Sequence, residues 1–223
     1  MGIRASLILI CYNTYTKIKR RKQTKNKDQR KALPYDQVKD CLNAISNSGA
    51  GPRTKLALEF LILTASRSGE VREAVWSEID LDNREWLIPA NRMKSKNDHR
   101  VPLVPRMIEI LQEADNLRDG SSLVFPGMKY GKPISDASML KLVRSLGYQV
   151  DIHGFRTSFR TWAQERTNTP REVVEKALAH SIGNKTEEAY ARSDLFEKRR
   201  SLMESWEKYL QEKPGNVVEL NRL

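Results

Sequence analysis

The stretch RTKLALEFLILTA, residues 53–65, is apolar almost all the way round a helix. A helix with no polar face has no place on a surface; it belongs in the middle of a core, covered on every side. A chain of 223 residues is long enough to build one such core. The covering elements should then be amphipathic. Val38, Cys41, Leu42 and Ile45 recur at helical spacing over 35–47, and Met107, Ile108, Ile110 and Leu111 open another helix after VPR. Leu195, Leu202, Met203, Trp206 and Leu210 fall on roughly one face of a helix near the C-terminus. That helix either packs on its own domain or docks on a neighbouring protomer.

Between the early and late helices the period changes. Residues 75–104 alternate short apolar runs with the turn segments LDN and KSKND. This predicts three short antiparallel strands, near 76–80, 85–89 and 99–103. Gly69 is expected to break the chain before a short helix, and 119–135 reads as a loop. From Asp136 onward the pattern is helical. Thr169, Pro170 and Glu172 predict a helix with Thr169 as N-cap and Pro170 at the first helical position, and Asp194 to Glu197 reads as a capping box. The expected fold class is mainly α with a small three-stranded antiparallel sheet.

Charge locates the partners less simply than its total suggests. The net charge is +11, but residues 1–33 hold ten lysines and arginines against one acid. The remaining 29 basic and 27 acidic residues leave only +2 for the rest. Residues 1–32 therefore read as a disordered basic extension, which either grips DNA backbone or does nothing specific. Its apolar run ASLILICY is far shorter than the roughly 20 residues a membrane span needs, and no cleavage site follows it. Residues 33–212 form the expected domain and 213–223 a tail. Two cysteines, Cys11 and Cys41, with no C-x-x-C spacing fit a reducing cytoplasm. Three histidines and no H-E-x-x-H give no expectation of a metal site.

A set of cationic and polar residues stands out against this background. Arg67 follows the apolar helix directly, where a guanidinium needs a partner or a job, and Glu70 lies three residues on. Lys94 sits on the turn between two strands. His153 and Arg156 form an H-x-x-R pair on one face of a helix start. His180 closes the sequence LAH, and Tyr190 follows ten residues later on a polar stretch. His99 reads as a solvated strand residue or a backbone contact. Trp76, Trp86, Trp162 and Trp206 suit core or partner packing.

The order of these motifs resembles the catalytic domain of the tyrosine recombinases, the phage integrase family. HGFRTSFRTWAQE, PREVVEKALAH and DLFEKRRSLMESW are similar to segments of integrases from prophages and genomic islands that insert at transfer-RNA genes. The resemblance covers about 33–212. It implies the tyrosine recombinase catalytic-domain fold and cleavage and rejoining of DNA through a 3′-phosphotyrosine. Arg67, Arg156 and His180 would bind the non-bridging phosphate oxygens, Tyr190 would be the nucleophile, His153 an acid/base and Lys94 the acid for the leaving 5′-oxygen. Glu70 would orient Arg67. No cofactor and no metal are implied.

The implied partners are double-stranded DNA at an attachment site, which a transfer-RNA gene could hold, and further copies in a tetramer on that DNA. A membrane is not implied; the expected location is the cytoplasm, with the nucleoid. Lys96, Arg100, Lys141 and Arg144 read equally as DNA-phosphate contacts or solvated surface, and Arg160 as a structural or phosphate contact. Family members usually carry a core-binding domain ahead of the catalytic one, for which residues 1–32 are too few and too polar. The expectation is a catalytic domain standing alone, with weak DNA binding and impaired recombination. Two other classes stay open: a DNA-binding remnant without catalysis, and a type IB topoisomerase-like enzyme that relaxes DNA.

Overall fold

Helix α2 (Pro52–Thr64) runs through the centre of the molecule, with Leu56, Ala57, Leu58 and every residue from Phe60 to Thr64 buried. The protein is seen in a computed structural model that describes residues 31–180 and 193–212. The extension up to residue 30 with Cys11, the nucleophile candidate Tyr190 and the tail from 213 lie outside the described residues. Around α2 pack α1 (Val38–Asn47), α3 (Ser68–Arg72), α4 (Pro105–Asp115) and α5 (Asp136–Ser145). Helices α6 (Gly154–Arg166), α7 (Arg171–Ala177) and α8 (Phe196–Gln211) complete the helical part of the described residues. Among the described residues no helix is long and apolar enough to cross a membrane.

The strands β1 (Ile79–Asp80), β2 (Glu85–Ile88) and β3 (His99–Pro102) form one antiparallel sheet in that order. The fold class is as expected, mainly helical with a small three-stranded sheet. Trp86 pairs with Val101 and Ile88 with His99. Because side chains alternate along a strand, Trp86, Ile88, His99 and Val101 share the inner face. Leu87 and Arg100 pair on the outer one. The first strand is shorter than its sequence suggests. Trp76–Glu78 curl into a 3-10 turn, because the buried Glu78 carboxylate accepts from the Trp86 indole (3.0 Å) and pairs with Arg92.

Three local expectations are corrected. The chain breaks at Ala65, in the left-handed region with φ 48°, while Gly69 lies inside α3. Helix α7 starts one residue late, with Pro170 at the N-cap and no side-chain cap from Thr169. At α8 the N-cap is Leu195, left-handed at φ 56°. Asp194 still accepts from the Phe196 amide (3.2 Å), but Glu197 pairs with Arg200 and no capping box forms. The carboxylate of Asp194 is held instead by Arg199, 2% exposed, at 2.8 Å. Arg199 also donates to the Arg100 carbonyl, which welds the start of α8 to β3.

Helix α8 packs on its own domain. Trp206 is fully buried among Phe159, Trp162 and Tyr209, and its indole donates to the Ile62 carbonyl at 3.1 Å. Residues 31–34 lie across the start of α6. Lys31 accepts from the Asp151 amide (3.0 Å), and a Cβ on Gly154 would collide with the Lys31 carbonyl. This close approach fixes the turn that carries His153.

Candidate active site

Two helix ends build the site, and both end in a left-handed alanine. After α2, Ala65 turns the chain so that Arg67 becomes the N-cap of α3. Glu70, 6% exposed, answers it twice: Oε2 accepts from the Arg67 amide and Oε1 from Nη1, both at 2.7 Å. One carboxylate thus caps the helix and aims the guanidinium. After α7, the Ala179 amide donates to the Lys176 carbonyl (3.0 Å) and the His180 amide to the Glu175 carbonyl (2.9 Å), with Ala179 at φ 48°. This is the Schellman pattern of helix termination. It places His180 directly beyond the helix end, where the exposed carbonyls of α7 favour cations.

Arg156 joins these two ends. It projects from the first turn of α6 and is 3% exposed. Nη1 donates to the Ala65 carbonyl and Nη2 to the Leu178 carbonyl, both at 2.5 Å, and Nη2 lies 3.3 Å from His180 Nε2. Arg67 Nη2 reaches the next carbonyl, Ala179, at 3.4 Å. Burial, then the like charge of Arg67, push the Arg156 guanidinium down to about 10, with Glu70 opposing, so it stays charged at neutral pH. Among the described residues it has no carboxylate partner, and its buried Nε has no acceptor. Buried charges are normally paired. Here one guanidinium is unneutralised beside a second, with a donor unspent, and the arrangement asks for an anion.

The structure therefore brings together Arg67, Glu70, Arg156 and His180. His153 is the N-cap of α6, half-buried, and begins the same turn as Arg156. Lys94 is exposed on the connection between β2 and β3 and makes no hydrogen bond or ion pair among the described residues. Of the other basic candidates, Lys96 and Lys141 are exposed, and Arg144 pairs with Asp151 at 3.2 Å. Arg100 is spent on Glu85 (2.7 Å) and Asp194 (3.3 Å) over the Phe196 ring, and Arg160 on Glu175. Among the described residues no cluster of histidine, cysteine and carboxylate side chains could hold a metal.

One residue escaped the sequence reading, and another sits deeper than it suggested. Glu175, 6% exposed, accepts from His180 Nδ1 at 2.7 Å. The pair spans a helix end at a spacing of five, which no helical periodicity reveals. His99 lies half-buried on the inner face of β3, near Arg199, Arg156 and Arg67 and beside the Ala177 backbone. Of the two roles expected for it, a solvated strand residue or a backbone contact, its burial fits the second. Its alternation with buried Val101 was the available signal.

Burial, then those three guanidiniums, push the His99 imidazole from 6.5 down to about 3. As pH falls below about 6.5, the unfolded chain takes up a proton that the folded chain refuses. Stability should therefore drop from about pH 6.5 towards pH 3, by on the order of 1 kcal/mol per pH unit from this group. Melting temperatures at pH 7 and pH 5 should differ less in His99→Gln than in the wild type. An equal fall in both chains would contradict the assignment.

Residues 31–195 match the profile of the Phage integrase family. Prophage integrase IntA of Escherichia coli K12 is 34% identical over 186 residues, covering 81% of this chain and 45% of IntA. The integrase of Shigella phage Sf6 is 31% identical over 185 residues, covering 81% of this chain and 48% of its own. The chain thus spans about half the length of the curated relatives it matches. Among solved structures, the integrase from mycobacterium phage Brujita superimposes with a TM-score of 0.58 at 20% identity, over 74% of this chain and 55% of that one. A lambda integrase tetramer bound to a Holliday junction gives 0.52 at 18%, over 70% and 48%. At such identities the structural likeness speaks for the fold.

Proposed function

The chain belongs to the phage integrase family, and from that premise we propose that it cuts and rejoins double-stranded DNA at a specific site, with Tyr190 as nucleophile. The observation that carries this is Arg156, a buried guanidinium with a second guanidinium beside it and, among the described residues, an unspent donor and no carboxylate partner. A phosphodiester supplies the missing anion. As the tyrosine oxygen adds to phosphorus, charge grows on the non-bridging oxygens. Arg67 and Arg156 meet it with rigid, permanently charged forks, and His180 adds a third donor. The Tyr190 oxygen bonds to phosphorus, the P–O bond to the 5′-oxygen breaks, and Lys94 protonates that leaving oxygen. His153 serves as acid/base. The phosphotyrosine keeps the bond energy, so a second 5′-hydroxyl can reverse the step on another strand.

The wider setting follows as part of the same reading. The catalytic unit is 33–212, preceded by the basic extension and followed by the tail. Further copies assemble with it on DNA, as a tetramer, at an attachment site of the kind found in transfer-RNA genes. It works in the cytoplasm with the nucleoid. Lys96 and Lys141, exposed and without a carboxylate partner among the described residues, are available to touch phosphate. Arg144, Arg100 and Arg160 would have to share or exchange partners.

The test is incubation with a duplex attachment site carrying a nick beside the scissile phosphate, followed by denaturing electrophoresis. A protein–DNA adduct that forms equally with EDTA present is expected. Absence of any adduct where the chain binds the duplex would sink the catalytic reading.

A further inference from the structure

The Schellman turn after α7 usually brings together two apolar side chains, those three residues before and two after the helix cap. Here the two positions are Glu175 and His180, and the contact is a carboxylate on an imidazole: Oε2 to Nδ1, 2.7 Å. The other carboxylate oxygen, Oε1, accepts from Arg160 through Nε (2.9 Å) and Nη2, with Arg171 at 3.9 Å. Burial works to raise the Glu175 carboxyl, but the hydrogen bonds from His180 and Arg160 outweigh it and hold it below the ordinary carboxylate range. An ionised carboxylate accepts only, so the ring nitrogen facing it must carry a proton. The same ring turns its other nitrogen, Nε2, towards Arg156 Nη2 at 3.3 Å.

We propose that Glu175 is the positioning residue of His180: locked by Arg160, it holds the proton on Nδ1 and presents Nε2 to the phosphate. This deepens the reading of the site as a phosphoryl-transfer centre and rests on it. In the neutral ring Nε2 has a lone pair, which suits the Arg156 donor of the free site. To bind a phosphate oxygen, Nε2 must gain a proton, and the resulting imidazolium is paired at its back by Glu175. His180 then donates as a cation, which makes a stronger hydrogen bond than a neutral ring. Arg160 acquires its role through this chain: it fixes the carboxylate that fixes the imidazole.

Glu175→Gln is isosteric and gives a sharp outcome. Arg160 still points donors at the Oε1 position, so the glutamine carbonyl takes that place and its NH2 faces Nδ1. The proton should then leave Nδ1 and reside on Nε2. The chain has three histidines, so long-range 15N–1H spectra of histidine-labelled protein resolve them, with His180→Gln assigning the signal. The wild type should show a proton on Nδ1 of His180, and Glu175→Gln a neutral ring protonated on Nε2. Adduct formation in Glu175→Gln should be slower by on the order of ten- to a hundredfold, since the donor survives but loses its charge. A wild-type ring protonated only on Nε2, unchanged nitrogen shifts in the variant, or a wild-type rate with reversed shifts each overturns the proposal. If no chain forms an adduct, the nitrogen shifts still decide where the proton sits, and the phosphoryl-transfer reading alone falls.

Discussion

Tyr190→Phe should bind the nicked duplex and form no adduct, a loss of at least about 10⁴-fold in the covalent step. The substitution keeps the ring and removes one oxygen, so it takes away the nucleophile and leaves every described contact of the site in place. Arg67 would still pair with Glu70, and Arg156 would still hold the Ala65 and Leu178 carbonyls. DNA affinity, measured by gel shift, should therefore change little. That separation is what makes the experiment informative. An adduct from Tyr190→Phe, even a slow one, would move the nucleophile to another residue.

The second large effect belongs to Arg156, where chemistry and stability fall together. Arg156→Lys keeps a charge but loses the fork, and one ammonium cannot serve the two carbonyls and a phosphate together. Adduct formation should drop by roughly 10²–10³-fold, the usual cost of one preorganised donor. Arg156→Ala should cost about 3–5 kcal/mol of stability in addition, because two buried carbonyls lose their donor. Denaturant unfolding should show the midpoint of Arg156→Ala well below that of Arg156→Lys. Arg67→Ala makes the contrast: its side chain is 24% exposed, the Glu70 carboxylate it pairs with keeps its bond from the residue-67 amide, and its one carbonyl contact is long at 3.4 Å, so it should lose activity with a smaller fall in stability. Equal stability in wild type and Arg156→Ala would show that the guanidinium is no fastening.

The sequence carried the elements built on strong local signals. The apolar run of α2, the switch to strand periodicity and the spacing of Arg67 to Glu70 all belong to neighbours in the chain, and periodicity reports neighbours well. The H-x-x-R pair was visible for the same reason. What stayed hidden is tertiary pairing. Arg100 and Arg160 read as candidates for phosphate contact because their carboxylates, Glu85 and Glu175, lie 15 residues away in each case. Only the register of β2 against β3 and the approach of α7 to α6 bring them together. The two turns that aim Arg67 and His180 were hidden differently. Left-handed backbone is announced by glycine or asparagine, and here alanine occupies both positions, Ala65 and Ala179. Such strain is kept where surrounding bonds demand it. The bonds from Arg156 and Arg67 to these residues and to Leu178 are of that kind.

The double grip of Arg156 also bears on how the folded chain opens. Helix α7 has only seven residues and, by length alone, should fray readily. Its last carbonyls are instead tied through Arg156 and Arg67 to the ends of α2 and α3, which belong to the central core. Release of the α7 terminus then requires breaking contacts anchored in the most protected part of the molecule. Amide hydrogens at Leu178, Ala179 and His180 should exchange with solvent nearly as slowly as those of α2, making the phosphate cradle part of the same cooperative opening unit as the core.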